Sequence, residues 1–114
     1  MENCLFCKIA SGEIQSKKEY ESENILVFHD ITPQAPFHVL IIPKVHISSM
    51  NQIGDLDPKI LTEIFQTIPK IAEQNGISEK GYRLVNNCGN FGGQTVNHIH
   101  FHLLGGRHLK WPPG

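Results

Sequence analysis

Residues 98–104 read His-Ile-His-Phe-His-Leu-Leu. The alternation has a period of two, so the spacing predicts a β-strand over 98–104. In such a strand His98, His100 and His102 share one face and Ile99, Phe101 and Leu103 the other. Three imidazoles on one face are poor core material, because each ring carries a donor and an acceptor that need partners. At about 3.3 Å per residue the Cα atoms of His98 and His102 stand roughly 13 Å apart. Metal–nitrogen bonds are only about 2.0–2.1 Å long. One metal therefore takes two neighbours and not all three, and the row is divided between tasks. Imidazole titrates near neutrality and can attack phosphorus, forming a covalent intermediate that water then cleaves. Just upstream lies Gly92-Gly93-Gln94-Thr95. Its glycines let main-chain amides approach an anion, and Thr95 adds a hydroxyl donor.

Outward from this strand the chain reads as short elements without repeats or linkers. Leu5 to Ala10 is a short helix ending at Ser11-Gly12, and Lys18 to Ser22 is a weak strand. Asn24 to His29 and Phe37 to Ile42 are stronger strands, separated by a loop that Pro33 and Pro36 keep irregular. From Asp57 to Asn75 the period changes. Ile60, Leu61, Ile64, Phe65, Ile68, Ile71 and Ala72 form one helical stripe, with Asp57 as N-cap, Pro58 at the first helical position and Asn75-Gly76 as the stop. Pro69 inside this pattern is expected to kink or divide the helix. Tyr82 to Asn86 is another strand, Asn87 to Thr95 a loop, and Arg107 to Gly114 an irregular tail. The order β, β, β, α, β, β predicts an α+β fold with an antiparallel sheet and segregated helices.

The chain has 114 residues, suited to one domain over 1–114 with a C-terminal tail at 105–114. Charged residues are 18% and balanced, with a formal net charge of −1. That balance speaks against nucleic acid and anionic membranes as partners. Apolar runs such as Ile25 to Phe28 are too short for a transmembrane helix or a signal-peptide core. Three cysteines without a secretory signal argue against a disulfide framework and for a cytoplasmic protein. The Cys4-x-x-Cys7 spacing suits one metal; a redox dithiol and two plain thiols are its rivals. Cys88 reads as a structural or incidental thiol, His29, His38 and His108 as surface or structural residues, and Lys44 as a solvated charge.

Gly93 to Leu104 resembles the histidine-triad motif, His-x-His-x-His followed by two apolar residues. Cys4-Leu-Phe-Cys-Lys-Ile, Phe28-His-Asp-Ile, Pro33-Gln-Ala-Pro, Ile42-Pro-Lys-Val-His and the terminal Trp111-Pro-Pro-Gly match as well. The resemblance covers nearly the whole chain, and the Trp-Pro-Pro-Gly end looks most like the family's nucleoside-phosphoramidase branch. It implies a five-stranded antiparallel sheet with two helices, pairing in a homodimer into a ten-stranded sheet. The implied substrate is a purine nucleoside 5′-phosphoramidate, the nucleotide being joined to an amine or a lysine. His100 would attack the α-phosphorus, and His102 would contact the phosphate. Asn87, Gly93 and Thr95 would hold phosphate oxygens and the leaving group. Asp30 would bind the ribose hydroxyls, Phe6, Phe28 and Ile31 would wall the base, and Trp111 would reach toward the partner's site. Thr95 stands where that branch often has serine, and its methyl stiffens the rotamer.

Some members of the family hold a zinc on an N-terminal Cys-x-x-Cys, the histidine of Pro-Lys-x-His and the first triad histidine. This chain has all four, as Cys4, Cys7, His46 and His98. Two thiolates and two imidazoles are a closed tetrahedral set, so the implied zinc is structural. No organic cofactor is expected. The competing functions are hydrolysis of dinucleoside polyphosphates, a nucleotide-binding sensor with vestigial activity, and a zinc-only structural module.

Overall fold

The computed structural model describes residues 3–114. In chain order the elements are α1 (Leu5–Ala10), β1 (Lys18–Glu21), β2 (Ile25–His29), β3 (Phe37–Pro43), a 3₁₀ turn (Met50–Asp55), α2 (Pro58–Gln74), β4 (Tyr82–Val85) and β5 (Phe101–Gly105). The five strands form one antiparallel sheet in the order β1-β2-β3-β5-β4.

Strands β2 and β3 are apolar on both faces because both faces are covered. Ile25 and Val27 of β2, Val39 and Ile41 of β3, and Phe101 and Leu103 of β5 pack against Ile64, Ile68, Ile71 and Ala72 of α2. The alternate residues Leu26, Phe28, Leu40 and Ile42 pack against Cys4, Phe6 and Ile9 at the N-terminal helix. Period-two alternation thus sorts each strand between two layers. His38 and His102 belong by parity to the α1 face, since Leu40 pairs directly with His102. Only the short helix α1 covers that face, so a cleft remains beside it.

α2 begins as expected: the Asp57 carboxylate accepts the Lys59 amide at 2.9 Å, and Pro58 occupies the first turn. Such a cap stabilises by about 1 kcal/mol. Pro69 does not divide the helix, which runs unbroken through it. Pro69 lies on the exposed side, so water can satisfy the carbonyl it leaves without a donor. Phe65 departs from the expected stripe and is 45% exposed, while Thr67 is buried in its stead.

The expectation of a strand over the whole of 98–104 is corrected. β5 starts at Phe101, and His98 to His100 lie outside the ladder. The β3–β5 pairing begins at Ile41 with Phe101, beyond which β3 reaches Pro43, a residue without an N–H. Other bonds replace the ladder there. The Ile99 amide donates to the Ile47 carbonyl at 2.6 Å, and the His98 ring reaches the Pro43 carbonyl at 2.8 Å.

Candidate active site and metal centre

The first cluster is built on the start of α1. Cys4 is the N-cap, and its sulfur accepts the Cys7 amide at 3.2 Å, so the Cys-x-x-Cys spacing closes one turn with both sulfurs together. His98 Nδ1 lies 3.3 Å from Cys4 Sγ and 3.4 Å from Cys7 Sγ, and His46 Nδ1 lies 3.3 Å from Cys7 Sγ. All four ligand atoms fall within 4.8 Å of one another. Bonds of about 2.3 Å to sulfur and 2.05 Å to nitrogen give a tetrahedral S···N edge of roughly 3.5 Å. The donor set therefore fits zinc in chemistry and spacing, with no position left for water. His98 Nε2 donates to the Pro43 carbonyl, which leaves Nδ1 free to face the sulfurs. Burial, with the Cys4 sulfur alongside, pushes the Cys7 thiol up to about 11.

The second site is a cleft of about 610 Å³ on the α1 face. Of the residues singled out in the sequence, Phe6, Phe28, Asp30, Ile31, Thr95, His100 and His102 all line it. Phe6 stands edge-on to Phe28 at 5.5 Å and to the His100 ring at 5.0 Å, so one aromatic ring separates the apolar end from the histidines. Ile31 sits 99% exposed at the rim. Asp30 Oδ1 accepts the Thr32 amide at 2.8 Å, while Oδ2 lies 3.5 Å from His38 Nε2.

His100 is buried, and its Nδ1 donates to the carbonyl of His98 at 2.7 Å. Asn86 Nδ2 in turn donates to the His100 carbonyl at 2.9 Å, fixing the backbone that carries the ring. His102 Nδ1 faces His38 Nε2 at 2.9 Å. Among the described residues Ser16 Oγ is the one buried side-chain polar atom without a hydrogen-bond partner. Among the described residues neither His100 Nε2 nor His102 Nε2 has a hydrogen-bond partner or counts as a buried unpaired atom, and both residues line the cleft. Burial lowers His100, and lowers His102 to about 4, where the neighbouring His100 and His38 add to the effect. Both rings are neutral at pH 7, so each carries a lone pair.

The glycine-rich loop is pinned by its own side chains. Asn87 Nδ2 donates to the Gly92 carbonyl at 2.7 Å. Gln94 accepts the Gly89 amide at 2.9 Å and donates to the Ser48 carbonyl at 2.7 Å. Gly93 has φ +82°, and a Cβ on Gly92 would collide with the Cys88 carbonyl. Asn87 and Gly93 thus shape the loop without lining the cleft, and Trp111 is 82% exposed and away from it. His38, read from the sequence as surface or structural, is buried in contact with His102. Its signal was there: a polar residue in phase with Leu40 and Ile42 on one strand face. Lys44 is paired with Glu21 at 2.7 Å, and His29 with Glu19 at 2.9 Å.

Residues 11–109 match the HIT domain. The purine nucleoside phosphoramidase of Escherichia coli strain K12 is 46% identical over 108 residues, 95% of this chain and 91% of that protein. An uncharacterised HIT-like protein of Synechococcus elongatus is 46% identical over 99% of this chain and 98% of its own length. A HIT family hydrolase from Legionella pneumophila superposes with a TM-score of 0.95 at 56% identity, covering 98% of this chain and all of that one.

Proposed function

Because the chain belongs to the histidine-triad (HIT) family, and is a hydrolase of that family, we propose that it cleaves purine nucleoside 5′-phosphoramidates through a nucleotidyl-histidine intermediate. The observation that carries this reading is the His100 ring. Its Nδ1–H is held by the His98 carbonyl at 2.7 Å, and its Nε2 opens into the cleft. A neutral imidazole fixed in this tautomer presents a lone pair at Nε2, and the carbonyl stabilises the charge that develops on attack.

In this reading Nε2 of His100 bonds to the α-phosphorus as the P–N bond breaks, and the departing amine takes a proton from solvent, which the hydrolytic step returns. Water then attacks the phosphorus, releasing the nucleoside monophosphate and returning His100 to its neutral form. Phe6, Phe28 and Ile31 take the base, and Asp30 the ribose hydroxyls. Thr95 and the amides of the glycine-rich loop, shaped by Asn87 and Gly93, take the phosphoryl oxygens, and His102 donates from its free edge. The similarity to the Escherichia coli phosphoramidase supports the substrate class.

Cys4, Cys7, His46 and His98 would hold a structural zinc that ties the N-terminal turn to the sheet. A homodimer is proposed through the open edge of β4, since the tail runs beside that edge, with Arg83 Nη2 donating to the Lys110 carbonyl at 2.8 Å. The exposed Trp111 would then reach the partner's cleft. Among the described residues no helix is long and apolar enough to cross a membrane. A cytoplasmic setting and partners other than nucleic acid accord with the free thiols and the balanced charge.

The test is turnover of an adenosine phosphoramidate by His100→Ala. The account predicts loss of at least about 10⁴-fold in kcat with adenosine monophosphate still bound. Full activity of the variant would remove the nucleophile assignment.

A further inference from the structure

The His38–His102 contact has a direction, and main-chain geometry sets it. The amide of Gln34, in the loop between β2 and β3, donates to His38 Nδ1 at 3.0 Å. A main-chain N–H can only donate, so His38 Nδ1 must be the acceptor and the proton of that neutral ring sits on Nε2. His38 Nε2 lies 2.9 Å from His102 Nδ1. With Nε2 the donor, His102 Nδ1 must accept, and its own proton sits on Nε2, facing the cleft. From these contacts we infer that the Gln34 main-chain N–H, acting through His38, is a positioning group that makes His102 a neutral hydrogen-bond donor toward the substrate. The inference rests on the proposed reaction for its use, but not for its geometry.

The same chain of bonds keeps a second proton off the pair. A proton on His38 Nδ1 would meet the Gln34 N–H, and one on His102 Nδ1 would meet the His38 N–H. The other groups facing the pair are Asp30, 3.5 Å from His38, and the His100 ring, 5.1 Å from that of His102. Asp30 alone favours a charge there, while burial and the neighbouring rings oppose it. Asp30, His38 and His102 also place three ligand atoms within 4.8 Å of one another. A metal on His38 Nε2 would force the ring proton onto Nδ1 against the Gln34 amide, so this cluster works as a hydrogen-bond chain. Arg107 Nη2 donates to the Gln34 carbonyl at 2.9 Å and so anchors the next peptide of the same loop from the tail.

The consequence is a division of roles between two neutral rings. His100 offers a lone pair at Nε2, and His102 offers an N–H at Nε2. One accepts phosphorus, and the other stabilises a phosphoryl oxygen or the departing amine's lone pair. Had His102 adopted the opposite tautomer, two lone pairs would face an anionic substrate.

The test is long-range ¹H–¹⁵N correlation of the histidine rings in the zinc-loaded full chain at pH 7. The expected spectrum shows unprotonated Nδ1 and protonated Nε2 on both His38 and His102, and the reverse on His100. A His102 ring protonated at Nδ1 would overturn the inference. Gln34→Pro removes the N–H, and Gln34→Ala keeps it. In Gln34→Pro the His102 titration should move up by about one pH unit and kcat should fall roughly tenfold, while Gln34→Ala stays like the parent. Identical titrations in the two variants would also overturn it. If Gln34→Pro does not fold, the spectrum of the parent chain still decides. Because tautomers are read without substrate, failure of the phosphoramidase reading would show only in turnover.

Discussion

The carbonyl oxygen of His98 accepts a hydrogen bond from Nδ1 of His100 at 2.7 Å, while the ring of His98 points the other way, 3.3 Å from the Cys4 sulfur. One residue thus belongs to both clusters: its side chain to the cysteines, its backbone to the open imidazole. Ile99 between them is anchored to the Ile47 carbonyl. Whatever grips the His98 ring also steadies the carbonyl that orients His100.

Removal of the proposed zinc is therefore expected to act first on stability. Metal analysis of the purified chain should find about one zinc per chain, and chelation should lower the thermal midpoint by more than roughly 5 °C. Cys4→Ser or Cys7→Ser should reproduce the loss. An unchanged midpoint, with no metal found, would mean that the four residues are only neighbours.

The glycine-rich loop sets a second expectation. In Gly92→Ala the new Cβ meets the Cys88 carbonyl, so the loop must shift. A displacement near 1 Å at a phosphoryl cradle costs about 10²-fold in kcat/KM. Steady-state kinetics beside a thermal melt will show whether activity falls while the fold survives.

Ser16 makes a prediction of opposite sign. Its hydroxyl is buried without a partner at the edge of the cleft. Ser16→Ala should stabilise the chain by about 1 kcal/mol, because an unsatisfied hydroxyl no longer has to leave water. Denaturant unfolding measures this, and a destabilised variant would mean that the hydroxyl is satisfied.

The histidines set the pH dependence of stability. Burial lowers His38, and His102 falls to about 4 from an ordinary value of 6.5. Between those two values the unfolded chain binds more protons than the folded one. Stability therefore rises with pH across that window and is lost as pH falls from 6.5 toward 4. Denaturant midpoints at intervals across it should show this slope, and His102→Asn should reduce it.

What the sequence made legible follows from which forces are local. The apolar runs Ile25 to Phe28 and Val39 to Ile42 identified the central strands, because a strand buried on both faces has no polar face to show. Asp57-Pro58 and Asn75-Gly76 placed the ends of α2, because capping is decided within a few residues. The start of β5 was not legible: its ladder ends where β3 reaches Pro43, a fact about the partner strand. The 3₁₀ turn at Met50–Asp55 went unread because no periodic pattern marks it. In the candidate site, the residues named from one alternating run or one short motif, His100 with His102 and Cys4 with Cys7, lie together in the structure, although His100 stands outside the strand. His38, read as surface or structural, takes its proposed role from a diagonal neighbour on another strand and from the main chain of Gln34; its phase with Leu40 and Ile42 marks a buried polar residue but does not name those partners.

The central claim is that His100 becomes covalently bound to the nucleotide. Its most direct test is rapid-quench intact-mass analysis after mixing with an adenosine 5′-phosphoramidate, followed by peptide mapping. The account predicts a species heavier by one adenylyl group, bound at His100 and absent from His100→Ala. Turnover without any such species, or with the group on another residue, would contradict it.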